Sequence, residues 1–459
     1  MGENNSMALW QWQELLLACG IDVAANGPDV SGISIDSRSL EPGDLFVALS
    51  GNPGPRFSTS SVVARDGHEF VQKAKSAGAA GILVSRDTSS SLPEIRMENT
   101  LDGLWQIGAA ARERMQGKVV GITGSSGKTT ARSWLESILS KEAQTHASTG
   151  SFNNHWGVPL SLARMPRNAE YGVFEIGMSN PGEIAPLSEL VRPSVALLLN
   201  VLPAHLQSFD DLDAVRREKL SITSGLSDEG ILVLHEGINL DGIYQGRVVT
   251  FGFSKSATVS AELSSAVSQT QVQVTIDGKN YAFHLAVGGV HRVLTALGCL
   301  GTAYALGADL EQACEVIASL ETPAGRGNLL ELSGLSIIDD SYNANPVSMQ
   351  YALDALRQRR GGRKIAVLGE MLELGADSGR YHESILDSCK ELDGVITVGE
   401  GFANISPGDN FWGHYDASVD IDLAELAELL EEGDIILVKG SNKVFWVNNF
   451  ITTIVEALS

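Results

Sequence analysis

Short, continuous apolar runs punctuate the chain, each closed by glycine or a polar residue and separated from the next by segments with helical spacing. Near the start, Trp10, Leu15, Leu16 and Leu17 fall on a helix pattern, and Asp44-Leu-Phe-Val-Ala-Leu reads as a strand. Ala74 to Ser85 reads as a helix end, a glycine turn and a strand. Farther on, Lys118-Val-Val-Gly-Ile-Thr, Tyr171-Gly-Val-Phe-Glu-Ile-Gly and Ser194-Val-Ala-Leu-Leu-Leu-Asn-Val are runs of the kind buried on both faces in parallel sheets. Alternation in Val272-Gln-Val-Thr-Ile predicts an antiparallel addition across Val249 to Phe283. A last group of strands is predicted at Ser336-Ile-Ile-Asp, Lys364-Ile-Ala-Val-Leu-Gly, Gly394-Val-Ile-Thr-Val and Asp434-Ile-Ile-Leu-Val.

This alternation predicts an α/β chain of three domains. The centre is a doubly wound parallel sheet, and a Rossmann-like α/β unit follows it. The expected boundaries are 1–114, 115–322 and 323–459. Gly51 to Ser61, rich in Gly, Pro and Ser, is expected to be a loop or insertion. Arg357 to Lys364 reads as a basic helix C-terminus, and Glu425 to Asp434 as a solvated acidic helix face.

Composition adds bounds. The 459 residues suit ~3 domains at ~150 residues each. With 43% hydrophobic and 19% charged residues there is enough apolar material for packed cores, which excludes a chain disordered throughout. The net charge of −23 argues against a nucleic-acid binder that works by broad phosphate neutralisation. It leaves room for a small anionic ligand at a locally positive site. Four cysteines without a CxxC pair point to a reducing cytosol. The start lacks signal-peptide character. Gly2 and Ser6 fit a loose myristoylation pattern read as accidental, with Met7 as an alternative start. No apolar run approaches the ~20 residues of a membrane span. A cytoplasmic monomer without membrane insertion is expected.

The chemistry concentrates in Gly121-Ile-Thr-Gly-Ser-Ser-Gly-Lys-Thr-Thr130, between a strand and a helix. Glycines at Gly124 and Gly127 let backbone N–H groups at Ser125 and Ser126 curl around phosphate, and the helix starting near Thr130 adds positive potential. Lys128 reaches the terminal phosphates and the Thr129 hydroxyl suits Mg²⁺. Ile122 occupies the first glycine position of the usual motif. The pattern predicts a nucleoside triphosphate site. Glu175 ends an apolar strand, where a carboxylate is costly unless it faces a ligand, a metal or a structural partner. His205 also follows an apolar strand; imidazole is an unusual Mg²⁺ ligand, so residue chemistry alone leaves its role open. Lys219 reads as an ordinary solvated helix lysine. Asp339 and Asp340 end a strand, where they suit either a ribose hydroxyl or the cap of the next helix.

Together these signatures resemble the Mur ligases, ATP-dependent amide-forming enzymes of peptidoglycan synthesis. The resemblance rests on Ile35-Asp-Ser-Arg38, Pro42 to Leu49 and Asp66-Gly-His68 in the first block. In the centre it rests on the phosphate loop, Asn153-Asn154 with Gly157 to Leu160, and Phe174-Glu-Ile-Gly177 with Pro181 to Ile184. In the last block it rests on Asp339-Asp-Ser-Tyr-Asn-Ala-Asn345, Val367 to Gly375 and Val438-Lys-Gly-Ser441. The DDSYNAN and LGEMLELG strings are similar to the member that joins D-alanyl-D-alanine to UDP-N-acetylmuramoyl-tripeptide through an acyl phosphate. The resemblance implies that Lys128 steadies the transferring phosphate, and that Thr129 and Glu175 hold one Mg²⁺. It implies that His205 helps hold a second alongside Lys219, whose family counterpart is carbamylated. Arg326 and Asp340 would meet ATP from the last domain, and Ser37 and Arg38 the UDP part of the substrate. The chain departs from the family at Ser151, Gln207, Arg292, Thr295 and Asn442. A Mur-type ligase with another acceptor or carboxylate, and a non-catalytic nucleotide-binding relative, are the alternatives.

Overall fold

At Thr123-Gly124 an apolar strand meets a glycine turn and enters a helix, the α/β grammar of the chain. The computed structural model describes residues 8–51, 65–265, 270–285, 289–320, 324–405 and 408–458. Most of the Gly51–Ser61 segment, and the Gly2/Ser6 pattern, lie outside the described residues. The chain divides into two compact units, one of residues 1–122, 139–196 and 221–231, the other of 123–138, 197–220 and 232–459.

In the first unit, strands β1 (Gly32–Ser34), β2 (Asp44–Val47), β3 (Gly81–Val84) and β4 (Glu94–Arg96) form a parallel sheet in that order. Helix Trp12–Ala18 packs Leu15 and Leu16 into a core with Val30, Ile33, Leu45, Leu83 and Leu104. Gly78, at φ +94°, makes the turn from helix Val71–Ser76 into β3. Strands β5 (Lys118–Thr123), β6 (Thr145–Ala147) and β7 (Tyr171–Glu175) pair in parallel, with β7 between the other two. β5 and β7 are apolar and buried for nearly their whole length, as expected of strands covered on both faces. Strand β8 (Val195–Leu198) follows helix Ile184–Val191, whose end is turned by Arg192 in the left-handed region (φ +45°).

In the second unit, β9 (Ile231–His235), β10 (Arg247–Gly252), β11 (Val259–Ser265), β12 (Thr270–Ile276) and β13 (Lys279–Leu285) lie side by side in chain order. β11, β12 and β13 pair antiparallel, as the alternation predicts. β10 instead meets β11 in parallel, and in the connection between them the Glu236 carboxylate accepts from the Phe253 and Ser254 N–H groups. The last sheet runs β14 (Asn328–Leu332), β15 (Leu335–Asp340), β19 (Ile435–Lys439), β16 (Lys364–Gly369), β17 (Gly394–Val398) and β18 (Phe411–Tyr415). Only the β14–β15 hairpin is antiparallel. One of its faces is covered by helices Pro346–Arg357 and Ser378–Asp387, the other by Leu423–Leu429 and Phe450–Leu458.

The basic run does end a helix, which stops at Gln358. Glu425, Glu428, Glu431 and Glu432 of the acidic segment are exposed as expected, but the helix and Asp434 depart from that reading. The helix ends at Leu429, and Asp434 is buried, accepting from Arg363 Nη2 at 2.8 Å and from the Glu431 N–H at 2.8 Å. Among the described residues no helix is long and apolar enough to cross a membrane, and the four cysteines are buried thiols.

Candidate active site

The glycine loop forms where β5 leaves the sheet. Gly127 holds φ +81°, a left-handed conformation open to glycine at little cost, and its missing side chain faces Thr295 Oγ1. Helix Lys128–Leu139 starts directly after it, and the first helical bond runs from Ala131 N to Gly127 O at 2.9 Å. The N-terminus of a helix concentrates N–H dipoles that favour an anion. Lys128 Nζ folds back onto Gly124 O at 2.8 Å, beside the same turn. A loop of this shape, with a lysine over it, fits a nucleotide's phosphates.

Asn200 supports the loop from the end of the following strand. Its Oδ1 accepts from Ser126 N at 3.0 Å and its Nδ2 donates to Ser126 O at 3.2 Å. Ser125 is tied as firmly: its N–H donates to Asn200 O, and its hydroxyl exchanges bonds with the Leu202 backbone. Sequence reasoning missed Asn200; the only signal was an amide interrupting an apolar run.

Thr129 and Thr130 are buried at the helix start. The Thr129 hydroxyl accepts from Arg326 Nη2 at 2.9 Å, so the residue expected from the last domain does reach the phosphate loop. The Arg326 guanidinium also lies 4.1 Å from the Tyr342 ring. Asp340 Oδ2 accepts from the buried Lys439 Nζ at 2.7 Å. Asp339 accepts from Gly325 N, Ser341 N and the Ser341 hydroxyl. Neither aspartate caps the next helix; Asn345 does, accepting from Ser348 N at 2.9 Å.

Lys219 is only 2% exposed, on the last turn of helix Leu212–Leu220, which overturns the reading of a solvated lysine. Burial, and then the positive charge of Lys128, hold its pKa well below the usual lysine value. His205 has φ +60° and its Nδ1 meets the Glu373 carboxylate; Glu373 is itself at φ +64°. Two non-glycine residues in the left-handed region, facing each other, form an over-determined contact. Glu373 belongs to the LGEMLELG string, and the His205 bond holds its pKa below the usual carboxylate value despite partial burial. Nearby, Gln207 N donates to Glu373 O at 3.2 Å.

In the first unit, Glu175 is fully buried at the end of β7 and pairs in register with Ile122, two residues ahead of Gly124. Asn153 Nδ2 donates to its Oε2 at 3.3 Å. Arg38 is exposed and turned onto Asp36 at 2.6 Å, and Ser37 is half-buried. Among the described residues no group of three or more His, Cys, Asp or Glu forms a ready metal cluster. The oxygen donors Thr129 and Glu175 nonetheless match the chemistry Mg²⁺ prefers.

Residues 122–303 match the Mur ligase middle domain, and residues 325–442 the Mur ligase, glutamate ligase domain. The UDP-N-acetylmuramoyl-tripeptide–D-alanyl-D-alanine ligase of Bacillus subtilis (strain 168) is 33% identical over 90% of both chains. The chain belongs to the Mur ligase family. The enzyme of that name from Escherichia coli (strain K12) is also 33% identical, over 90% of this chain and 92% of its own. Among solved Mur ligases, the MurF of Acinetobacter baumannii superposes with a TM-score of 0.83 at 28% identity, covering 97% of this chain and 99% of that one. The MurF ligase of Thermotoga maritima, in complex with ADP, gives 0.79 at 29% identity, covering 93% and 97%. In this Mur ligase Arg292 and Thr295 are both engaged within the protein, Thr295 Oγ1 donating to His291 O at 2.9 Å.

Proposed function

We propose that the protein joins D-alanyl-D-alanine to UDP-N-acetylmuramoyl-tripeptide at the expense of ATP, the last cytoplasmic step in building a peptidoglycan precursor. The observation that carries this reading is the convergence of Lys128, the helix N-terminus and Arg326 on the glycine loop, in a chain 33% identical to ligases of that name over 90% of its length.

The γ-phosphoryl group moves from ATP to the tripeptide's terminal carboxylate: the bond to ADP breaks and a carboxylate–phosphorus bond forms. The dipeptide's amine then attacks the acyl carbon and loses a proton, and inorganic phosphate departs as the amide forms. Little covalent work falls to the protein. Lys128 and Arg326 offset charge on the moving phosphoryl group, and the N–H groups at the start of helix Lys128–Leu139 orient it, since those of Ser125 and Ser126, expected to curl around phosphate, donate to Asn200. Thr129 and Glu175 would hold Mg²⁺, which supplies further charge neutralisation when bound. With Nδ1 turned to Glu373, His205 keeps Nε2 for a second ion. Lys219 suits carbamylation, because a buried neutral amine is the form that adds CO₂. Its N–C bond forms as a proton leaves, and the product is an oxygen ligand. Asp340, whose Oδ2 also anchors Lys439, would meet ATP alongside Arg326. Residues 1–114, with Ser37 and Arg38, would take the UDP moiety, 115–322 the ATP phosphates, and 323–459 the remaining face of ATP and the dipeptide.

Phosphate release from ATP, assayed with and without each substrate, tests the reading. Release that needs both UDP-N-acetylmuramoyl-tripeptide and D-alanyl-D-alanine, with one amide formed per phosphate, is the expected outcome. Turnover only with a different amine or carboxylate would replace the substrate assignment, and ATP binding without any turnover would overturn catalysis.

A further inference from the structure

The guanidinium of Arg292, beside His291, has a specific destination. Arg292 is 7% exposed, in the first turn of helix Val290–Leu306. Its Nη2 donates to Arg326 O and to Gly327 O, both at 3.1 Å.

The peptide that Arg292 grips carries the arginine on the phosphate loop. Arg326 stands between Gly325 (φ +72°) and Gly327 (φ +89°), two residues with wide backbone freedom. The N–H groups of that turn are held from the end of β15: Gly325 N donates to Asp339 Oδ2 at 2.9 Å and Gly327 N to Asp339 O at 2.5 Å. The Tyr342 N–H bonds Gly325 O at 2.9 Å. The carbonyls of Arg326 and Gly327 are what Arg292 takes, and it passes so close that any Cβ on Gly327 would strike its Nη2. The turn is thus pinned on both sides, with the Arg326 side chain projecting to Tyr342 and Thr129.

We propose that Arg292 is a positioning residue for nucleotide chemistry, acting through Arg326: by holding the 326–327 carbonyls it fixes the rotation of a two-glycine turn and so aims Arg326 at the phosphate loop. The inference rests on the reading that Arg326 meets the phosphates of ATP.

A double-mutant cycle separates this role from simple packing. The four enzymes are wild type, Arg292→Gln, Arg326→Ala and the double variant, each assayed for kcat, KM for ATP and Tm. Arg292→Gln should lower kcat/KM for ATP about tenfold, the scale of one charge-assisted hydrogen bond. In the Arg326→Ala background the same change should cost less than about twofold, since the residue it serves is gone. Arg292→Lys, which keeps charge and bulk, should recover part of the loss. It also provides the cycle if the glutamine variant does not fold. Equal fold-losses in both backgrounds would overturn the proposal and leave Arg292 as packing only. Unchanged kinetics in Arg326→Ala alone would overturn the assignment of Arg326 to ATP, a separate failure that is visible before the cycle is closed.

Discussion

A lysine ammonium buried to 2% exposure, with Lys128 as a like charge nearby, loses far more hydration than it recovers. Lys219 is therefore held as a neutral amine at pH values where an exposed lysine is charged, which is the nucleophilic form that carbamylation requires. Lys219→Ala should lower kcat roughly a hundredfold, the scale of removing one preorganised charge-stabilising group. A short-chain carboxylic acid added to that variant should restore part of the activity by placing a carboxylate in the vacated space. Mass spectrometry under native conditions with ¹³CO₂ provides an independent check of the wild-type adduct. Unchanged activity in Lys219→Ala would remove the residue from the mechanism. Helical spacing carries a signal that a residue-by-residue reading passes over: Lys219 stands four positions after buried Val215 and beside buried Leu220, whereas Arg217 lies on the other side, exposed and paired with Asp213. Burial of a single polar side chain depends on what the rest of the chain brings over it. The glycine loop was legible because its chemistry is local, whereas the Asn200 clamp and the Lys439–Asp340 pair join residues 74 and 99 positions from their partners.

At the scale of elements, continuous apolar runs announced the strands covered on both faces, β5, β7, β16, β17 and β19, because burial on both sides removes any need for alternation. The two strands of the last sheet that the pattern did not announce, β14 and β18, are its two edges. Their side chains are half-buried or exposed, so the apolar signal is diluted where an edge strand faces solvent. In the acidic segment before β19 only Asp434 departs from the solvated reading: it looks like its exposed neighbours but is buried and hydrogen-bonded at the start of that strand. Burial pushes its pKa up, yet the Arg363 hydrogen bond, the Glu431 N–H and the Arg363 charge together pull it below the usual carboxylate value. A depressed folded-state pKa means the contribution to stability is complete above the unfolded value of ~3.9 and is lost as pH falls below it through the folded pKa. Asp434→Asn should lower unfolding free energy by about 1–3 kcal/mol at neutral pH. Urea titrations below pH ~4 should show a shallower loss of stability in the variant than in wild type. Parallel pH profiles for the two proteins would show that the ion pair contributes nothing in this window.

For the molecule as a whole, the net charge of −23 sets it against its proposed substrates, since ATP, a UDP-linked peptide and a carboxylate are all anions. Lys128, Arg326 and Lys439 offer local attraction, but all three already serve the protein: Lys128 donates to Gly124 O, Arg326 to Thr129 and Lys439 to Asp340. The two fields differ in range. Repulsion from surface carboxylates acts over tens of ångströms in dilute buffer, where the screening length is ~30 Å at 0.01 M salt. Contacts in the loop act over hydrogen-bond distances and survive ~0.1 M salt, where screening falls to ~10 Å. Added salt should thus strip away the repulsion before it weakens the grip. With Mg²⁺ in fixed excess, kcat/KM for ATP and for the UDP-linked peptide should rise by about twofold or more between ~10 and ~150 mM KCl, while kcat at saturation stays level. A steady fall of kcat/KM across that range would mean that local cations govern the approach, and that the acidic surface stands clear of the path the anions take.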